Sequence, residues 1–418
     1  MNQKSLTLSR RVAGSTRPQL SQAAIRRDVL QLALPATGEQ LLSMMVGVVD
    51  TFLVGHLGAA PLTAVGLANQ WVFMAMTLFG AIATGATALI ARFIGAGEPR
   101  EADQVLRQAM LLGALIGAIA TALGVALAQP AITLLGAQNE VIGLGSDYLR
   151  LVSSIFFFST LMFVGNASMR GAGDTRTPLY VMLVVNILNI VVAWTAINGH
   201  FGFPKLGVVG SALGAATGRF VGGVLVITIL LKGRSGIRLR LTSLRPDWDL
   251  IRRILRVGLP TGMEQLLFRT GHMVFARILA ELGTVAYAAQ QVAINTLSLS
   301  FMPGFGFALA ATTLVGQGLG AEDPEDAQRR GYTAYRLGAG LMSVIGLAIV
   351  LFPSQLMGFF TDDPQVVALG IMPLRVLGAI QPVLAAAMIF AGGLRGAGDT
   401  RFPMVITGGS IWLVRLPL

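Results

Sequence analysis

Residues 170–176 read RGAGDTR, and residues 395–401 read RGAGDTR again. The spacing between them, 225 residues, is also the spacing between Pro35 and Pro260. In that register Leu34, Pro35, Glu39, Gln40, Leu41 and Leu42 meet Leu259, Pro260, Glu264, Gln265, Leu266 and Leu267. Leu57-Gly58 meets Leu282-Gly283, and Gly95, Ala96, Pro99 and Ala102 meet Gly320, Ala321, Pro324 and Ala327. Pro178, just past the first heptapeptide, meets Pro403 past the second. Chance does not hold one register over so many positions, so the chain is an internal duplication.

What is duplicated follows from composition. The chain is 54% hydrophobic and 12% charged, where a soluble domain carries about 25% charged residues. Apolar runs of about 20 residues, the helical length that crosses a bilayer, recur along it. They cover 29–54, 61–85, 105–128, 145–169, 177–197, 207–231, 252–278, 285–315, 333–353 and 366–393, and an eleventh begins near Phe402. Six spans separate equivalent points, so both halves cross the membrane in the same sense. Such parallel repeats are related by an axis along the membrane normal and bind substrate between the halves near the midplane. The expected fold is an all-α integral membrane protein of two pseudo-symmetric six-helix lobes, twelve spans in all, of which about ten are complete and an eleventh partial. The divisions expected are a basic cytoplasmic tail (1–28), an N-lobe (29–232), a basic cytoplasmic inter-lobe loop (233–251) and a C-lobe (252–418). Leu231, the end of the sixth span, maps in this register to about residue 456, beyond Leu418, so the chain is expected to be a fragment lacking roughly 40 residues.

A net charge of +11 would suggest nucleic acid in a soluble protein. Its distribution gives another reason. Arginines and lysines crowd the N-terminal tail and the even-numbered loops, most heavily at Lys232, Arg234, Arg238, Arg240 and Arg245, while the odd loops offer little beyond Lys205. The positive-inside rule then makes the N-terminus and every even loop cytoplasmic, in a multi-pass protein of the inner cell membrane. The partners expected are the lipid bilayer and a small organic substrate, with no nucleic acid, and the protein is expected to be a monomer. There is no cysteine, hence neither a disulfide nor a thiolate metal site, and no cleavable signal peptide is read at the N-terminus.

Ionisable groups inside spans single out candidate functional residues, because each costs about 2.5–3.5 kcal/mol at the bilayer centre on insertion scales. Glu39 and Asp50 lie eleven residues apart in span 1, close to three helical turns, and so share one face. Glu264 in span 7 is the repeat-equivalent of Glu39, so the two should approach a central cavity from opposite lobes. The other role open to each is a structural carboxylate bonded to a neighbouring helix. Asp50 is matched by Phe275 and is private to the N-lobe. Further cavity candidates are the amides Asn69, Gln70, Asn166, Asn186, Gln290, Gln291 and Asn295, which otherwise bond helix to helix. Arg277 has Glu281 one turn on as a partner, whereas Arg269 and His272 have no obvious one. Phosphate-loop, zinc-protease and dinucleotide signatures are missing, the three histidines are scattered, and no enzyme or cofactor is expected.

Five segments carry a resemblance: LALPATGEQLLSMMVGVVDTFLVGHLG (32–58), IGAGEPREA (94–102), RGAGDTRTP (170–178), VGQGLGAEDPEDA (315–327) and RGAGDTRFP (395–403). Together they resemble the multidrug and toxic compound extrusion (MATE) family. The resemblance implies alternating access and export of mostly cationic organic molecules in exchange for H⁺ or Na⁺. It implies that Asp50 of the VDT motif and Asn189 of span 5 form the cation-coupling site, the candidate Na⁺ ligands, with Glu264 as a second ion-linked acid. This sequence departs from some branches in having Ala193 four residues after Asn189 and no aspartate in span 10. A flippase for a lipid-linked precursor and a non-transporting membrane scaffold are the alternative functions. The first would favour a more basic cavity, and the second would not need carboxylates mirrored across repeats.

Overall fold

The computed structural model describes residues 21–202, 204–233, 235–240, 245–281, 284–359 and 363–417. Most of the basic tail and part of the inter-lobe loop lie outside the described residues. Within them the chain is helical, with no strand. Spans 1, 2 and 3 are Gln22–Gly55, Ala59–Gly95 and Pro99–Ala126. Span 4 is two helices, Asn139–Ser154 and Phe156–Gly171, bent by 53°. Spans 5 to 9 are Arg176–Asn198, Val208–Lys232, Trp248–Glu281, Thr284–Gly320 and Pro324–Leu351. Span 10 repeats the break of span 4, with Pro364–Ala379 and Gln381–Ala397 bent by 51°. Span 11 is Arg401–Gly409, continued by a π-helical turn over Ser410–Arg415.

Several helices extend past their apolar runs at the end of the bundle that carries the RGAGDTR turns. Span 1 begins at Gln22 rather than 29 because Ser21 caps it, its side chain accepting from the Ala24 N–H at 3.2 Å, while Ile25 and Val29 are buried and Arg26 and Arg27 stay exposed. Among the described residues six helices are long and apolar enough to cross a membrane, or nine if each bent pair is one span. Span 7 is the tenth. Arg256, Glu264 and Arg269 fall within one stretch of it and lower its hydropathy, the price of carrying polar groups at membrane depth.

Four letters of the repeated heptapeptide have the same structural task in both halves. Arg170 and Arg395 donate to Glu39 and Glu264, at 2.6 and 2.8 Å. Gly171 and Gly396 lie against the carbonyls of Thr87 and Thr312, where any Cβ would collide. Those threonines bridge helices in the same way in both halves: Thr87 donates to the carbonyls of Ala83 and Ala167, and Thr312 to those of Ala308 and Gly392, all at 2.8–3.0 Å. Gly173 and Gly398 turn the chain at φ +96° and +87°, a conformation that favours glycine. Asp174 then accepts from the N–H groups of Arg176 and Thr177 at 3.1 and 3.0 Å and starts span 5, as Asp399 accepts from Phe402 at 3.2 Å to start span 11.

The lobes meet through spans 1 and 2 of one against spans 8 and 7 of the other. Here too contacts come in symmetric pairs. Gly258 of span 7 abuts the Ala81 carbonyl, and Gly306 of span 8 abuts that of Ala33. Nearest the RGAGDTR end, Gly95 abuts the Gln317 carbonyl and Gly320 that of Arg92. All four close approaches lie in the halves of these spans nearest the RGAGDTR turns, so the lobes are clasped at that end.

Candidate functional site

The N-lobe holds a buried polar cluster. Asp50 is 4% exposed and Asn189 fully buried, and the Asn189 Nδ2 donates to Asp50 Oδ1 at 3.3 Å. The Ser211 hydroxyl of span 6 donates to the same oxygen at 3.4 Å. Buried Tyr148 of span 4 and the guanidinium of Arg219 in span 6 interact electrostatically with Asp50. Span 6 reaches the site because it is glycine-lined: a Cβ at Gly214 would lie 2.7 Å from the Asn189 carbonyl and 2.6 Å from Ala193 Cβ. One polar atom is left over, since Asn189 Oδ1 is buried without a hydrogen-bond partner.

The other two carboxylates are engaged differently. Glu39 is 5% exposed and held by Arg170, whose carbonyl in turn accepts from Thr313 of the C-lobe at 3.0 Å. Glu264, 7% exposed, accepts from Arg395 and, at 3.0 Å, from the Thr407 hydroxyl of span 11. Both pairs join two helices of one lobe at the same repeat positions. Of the two roles open to Glu39, the pairing with Arg170 inside the N-lobe matches the structural carboxylate bonded to a neighbouring helix. Asn166 and Asn186, at 3% and 4% exposure, also lie in the N-lobe interior rather than on a cavity wall, Asn186 bonding back to the Met182 carbonyl at 2.8 Å. Glu264 shares its cluster with Arg395 and Thr407, not with Asp50.

Gln70 and Asn295, equivalent positions of spans 2 and 8, are exposed, as is Gln291, while Asn69 and Gln290 are half-buried. Arg269 is exposed, and its guanidinium lies 4.5 Å above the Phe73 ring of the opposite lobe. Among the described residues no ion pair joins Arg277 to Glu281; both side chains are exposed, where such a pair is worth only a few tenths of a kcal/mol. Sequence reasoning missed Arg219, Ser211, Tyr148 and the arginine partners of the glutamates. Arg219 was accessible as an ionisable residue inside an apolar run. The two arginines were visible in the heptapeptide, because Glu39 and Arg170 recur together as Glu264 and Arg395.

Two lobes built on a parallel repeat, clasped at one end and holding a buried carboxylate cluster in one of them, define a multi-pass membrane transporter. The sequence matches the MatE family over residues 35–195 and 260–418, the two halves of the duplication. It is 38% identical over 395 residues to the probable multidrug resistance protein NorM of Thermotoga maritima, covering 94% of this chain and 85% of that one. It is 31% identical over 394 residues to the probable NorM of Rhizobium meliloti, covering 92% and 84%. A solved structure described as the outward-facing conformation of a multidrug resistance MATE family transporter superposes with TM-score 0.87 at 24% identity, over 94% of this chain and 87% of that one. The chain belongs to the MatE family, and it is a transporter, not an enzyme.

Proposed function

We propose that the protein is a secondary antiporter of the inner cell membrane that exports small, mostly cationic organic compounds in exchange for H⁺ or Na⁺ by alternating access, acting as a monomer. The observation that carries this reading is the Asp50 cluster with its unpartnered Asn189 oxygen. Protonated Asp50 becomes a donor, and it then needs an acceptor. Rotation of the Asn189 amide supplies one, its Oδ1, so protonation reverses the direction of the hydrogen bond between spans 1 and 5, with Nδ2 turned to where the unpartnered oxygen had been. That couples occupancy to the packing of the N-lobe.

Na⁺ would find here one carboxylate, one amide oxygen and one hydroxyl, with the positive charge of Arg219 close by and Ala193 where some branches carry an acid. Such a donor set suits a proton better, because a proton needs only the carboxylate. The positive-inside rule puts the arginine-rich RGAGDTR end in the cytoplasm. The clasp is then the cytoplasmic gate, closed, and the arrangement faces outward. In proteoliposomes a pH gradient should drive transport of a fluorescent organic cation, and a Na⁺ gradient at equal pH should not. Transport driven by Na⁺ alone would reassign the coupling ion, and transport by neither gradient would defeat the antiporter reading.

A further inference from the structure

The duplication is broken at the coupling site. In register, Asp50 corresponds to Phe275, Asn189 to Val414 and Ile190 to Arg415. Where the N-lobe holds a carboxylate, the C-lobe sets the Arg415 guanidinium 4.3 Å above the Phe275 ring. One turn along span 7, His272 stacks on Phe268 with ring planes 4° apart and feels the charge of Arg415. Its Nδ1 is buried without a hydrogen-bond partner. A turn further, Arg269 reaches across to Phe73, which places it in the space between the lobes.

Three basic side chains thus lie along one stretch of the C-lobe with aromatic rings beside them and no acid to match. Glu264, the nearest carboxylate along span 7, is already taken by Arg395 and Thr407. Among the described residues no ion pair engages Arg269 or Arg415. Both arginines are exposed, so an anion can reach them, and cations within membrane-spanning helices are costly unless an anion or water meets them. The planar fork of arginine matches a carboxylate, and the phenylalanine faces match a flat ring. We infer that Arg269, His272 and Arg415 form an anion subsite of the transport cleft, taking the carboxylate of amphipathic aromatic substrates that carry a cationic group as well. This rests on the exporter reading and narrows its substrate class.

The test uses a matched pair of dyes, a rhodamine with a free carboxylate and its methyl ester, which share the same cationic ring system. Binding to the purified full chain is followed by fluorescence anisotropy, and the readout is the ratio of acid to ester affinity. Wild type should favour the acid about 10-fold, the factor that one charge-assisted hydrogen bond is worth. Arg269→Gln and Arg415→Gln should each bring the ratio towards one, with Arg415→Lys restoring part of it. Arg277→Gln, on the same span but outside the cluster, should leave the ratio as in wild type. A wild-type ratio of one or below, or a ratio that both glutamine variants leave intact, would overturn the anion subsite while leaving an exporter of cations standing. Binding of neither dye would count against the exporter reading and remove this inference with it.

Discussion

Arg170→Met separates a structural glutamate from a transporting one. The Arg170 and Glu39 side chains are 9% and 6% exposed, and their contact is a single 2.6 Å bond, with Glu39 Oε2 and Arg170 Nε both lacking partners. Removing one member of such a pair strands the other charge at low dielectric and costs about 3–5 kcal/mol, whereas removing both is often close to neutral. At about 1.4 kcal/mol per tenfold, the single substitution should lower the folding equilibrium roughly a hundredfold to several thousandfold. Glu39→Leu with Arg170→Met should recover most of that loss. The equivalent C-lobe pair is 20% and 9% exposed, and Glu264 keeps the Thr407 hydroxyl, so Arg395→Met should cost about half as much. The assay is reversible unfolding in mixed micelles titrated with SDS and followed by far-ultraviolet circular dichroism. Additive losses in the double variant, or an Arg170→Met no more costly than Arg395→Met, would refute the reasoning and return Glu39 to the transport pathway.

Three further outcomes follow from the same geometry. Gly95→Val or Gly320→Val pushes apart backbones that touch in the clasped state; an overpacking cost of about 1–3 kcal/mol on that state should raise the unclasped population, read as faster maleimide labelling of Thr37→Cys, which packs against Gly306. Asp50→Asn keeps the size and polarity of the side chain but cannot take up a proton, so it should leave expression and dye binding measurable while abolishing gradient-driven transport; wild-type rates would move the coupling site elsewhere. Because the chain has no native thiol, single cysteines at Lys205 and Arg240 should label from outside and from the cytoplasm respectively, and labelling of position 240 from outside intact cells would reverse the topology.

Much of this architecture was legible because a bilayer leaves a chain few choices. Every backbone group in a span must pair internally, so apolar runs become helices, and the register of the duplication fixes how the halves correspond. Even the breaks obey it, at Ile155 and Ile380. Partnership within the membrane was harder to read. Hydropathy marks Glu39 and Asp50 as equally anomalous, yet one meets a guanidinium and the other an amide and a hydroxyl. The difference depends on which helix lies alongside, and that depends on glycines such as Gly214 whose role appears only once span 6 is seen against span 5. The cavity amides were similarly ambiguous, because an asparagine facing a neighbouring helix and one facing a cleft have the same sequence neighbourhood.

In the proposed antiport mechanism, one carboxylate site sets the electrical character of the cycle. If Asp50 admits one proton per turnover and a monovalent cation leaves, no net charge crosses the membrane, and export draws only on the pH difference, about 1.4 kcal/mol per pH unit. A substrate that also presents a carboxylate to Arg269 and Arg415 leaves with no net charge. The inward proton is then uncompensated, and each 100 mV, negative inside, adds about 2.3 kcal/mol of drive. With the pH difference held fixed and the potential clamped by a potassium ionophore, transport of the free-acid dye should therefore accelerate as the interior becomes more negative, while that of its ester should not. Equal voltage dependence for the two dyes would mean that the coupling charge is not the single one at Asp50, since a fixed stoichiometry of one cannot move the same net charge with substrates that differ by one.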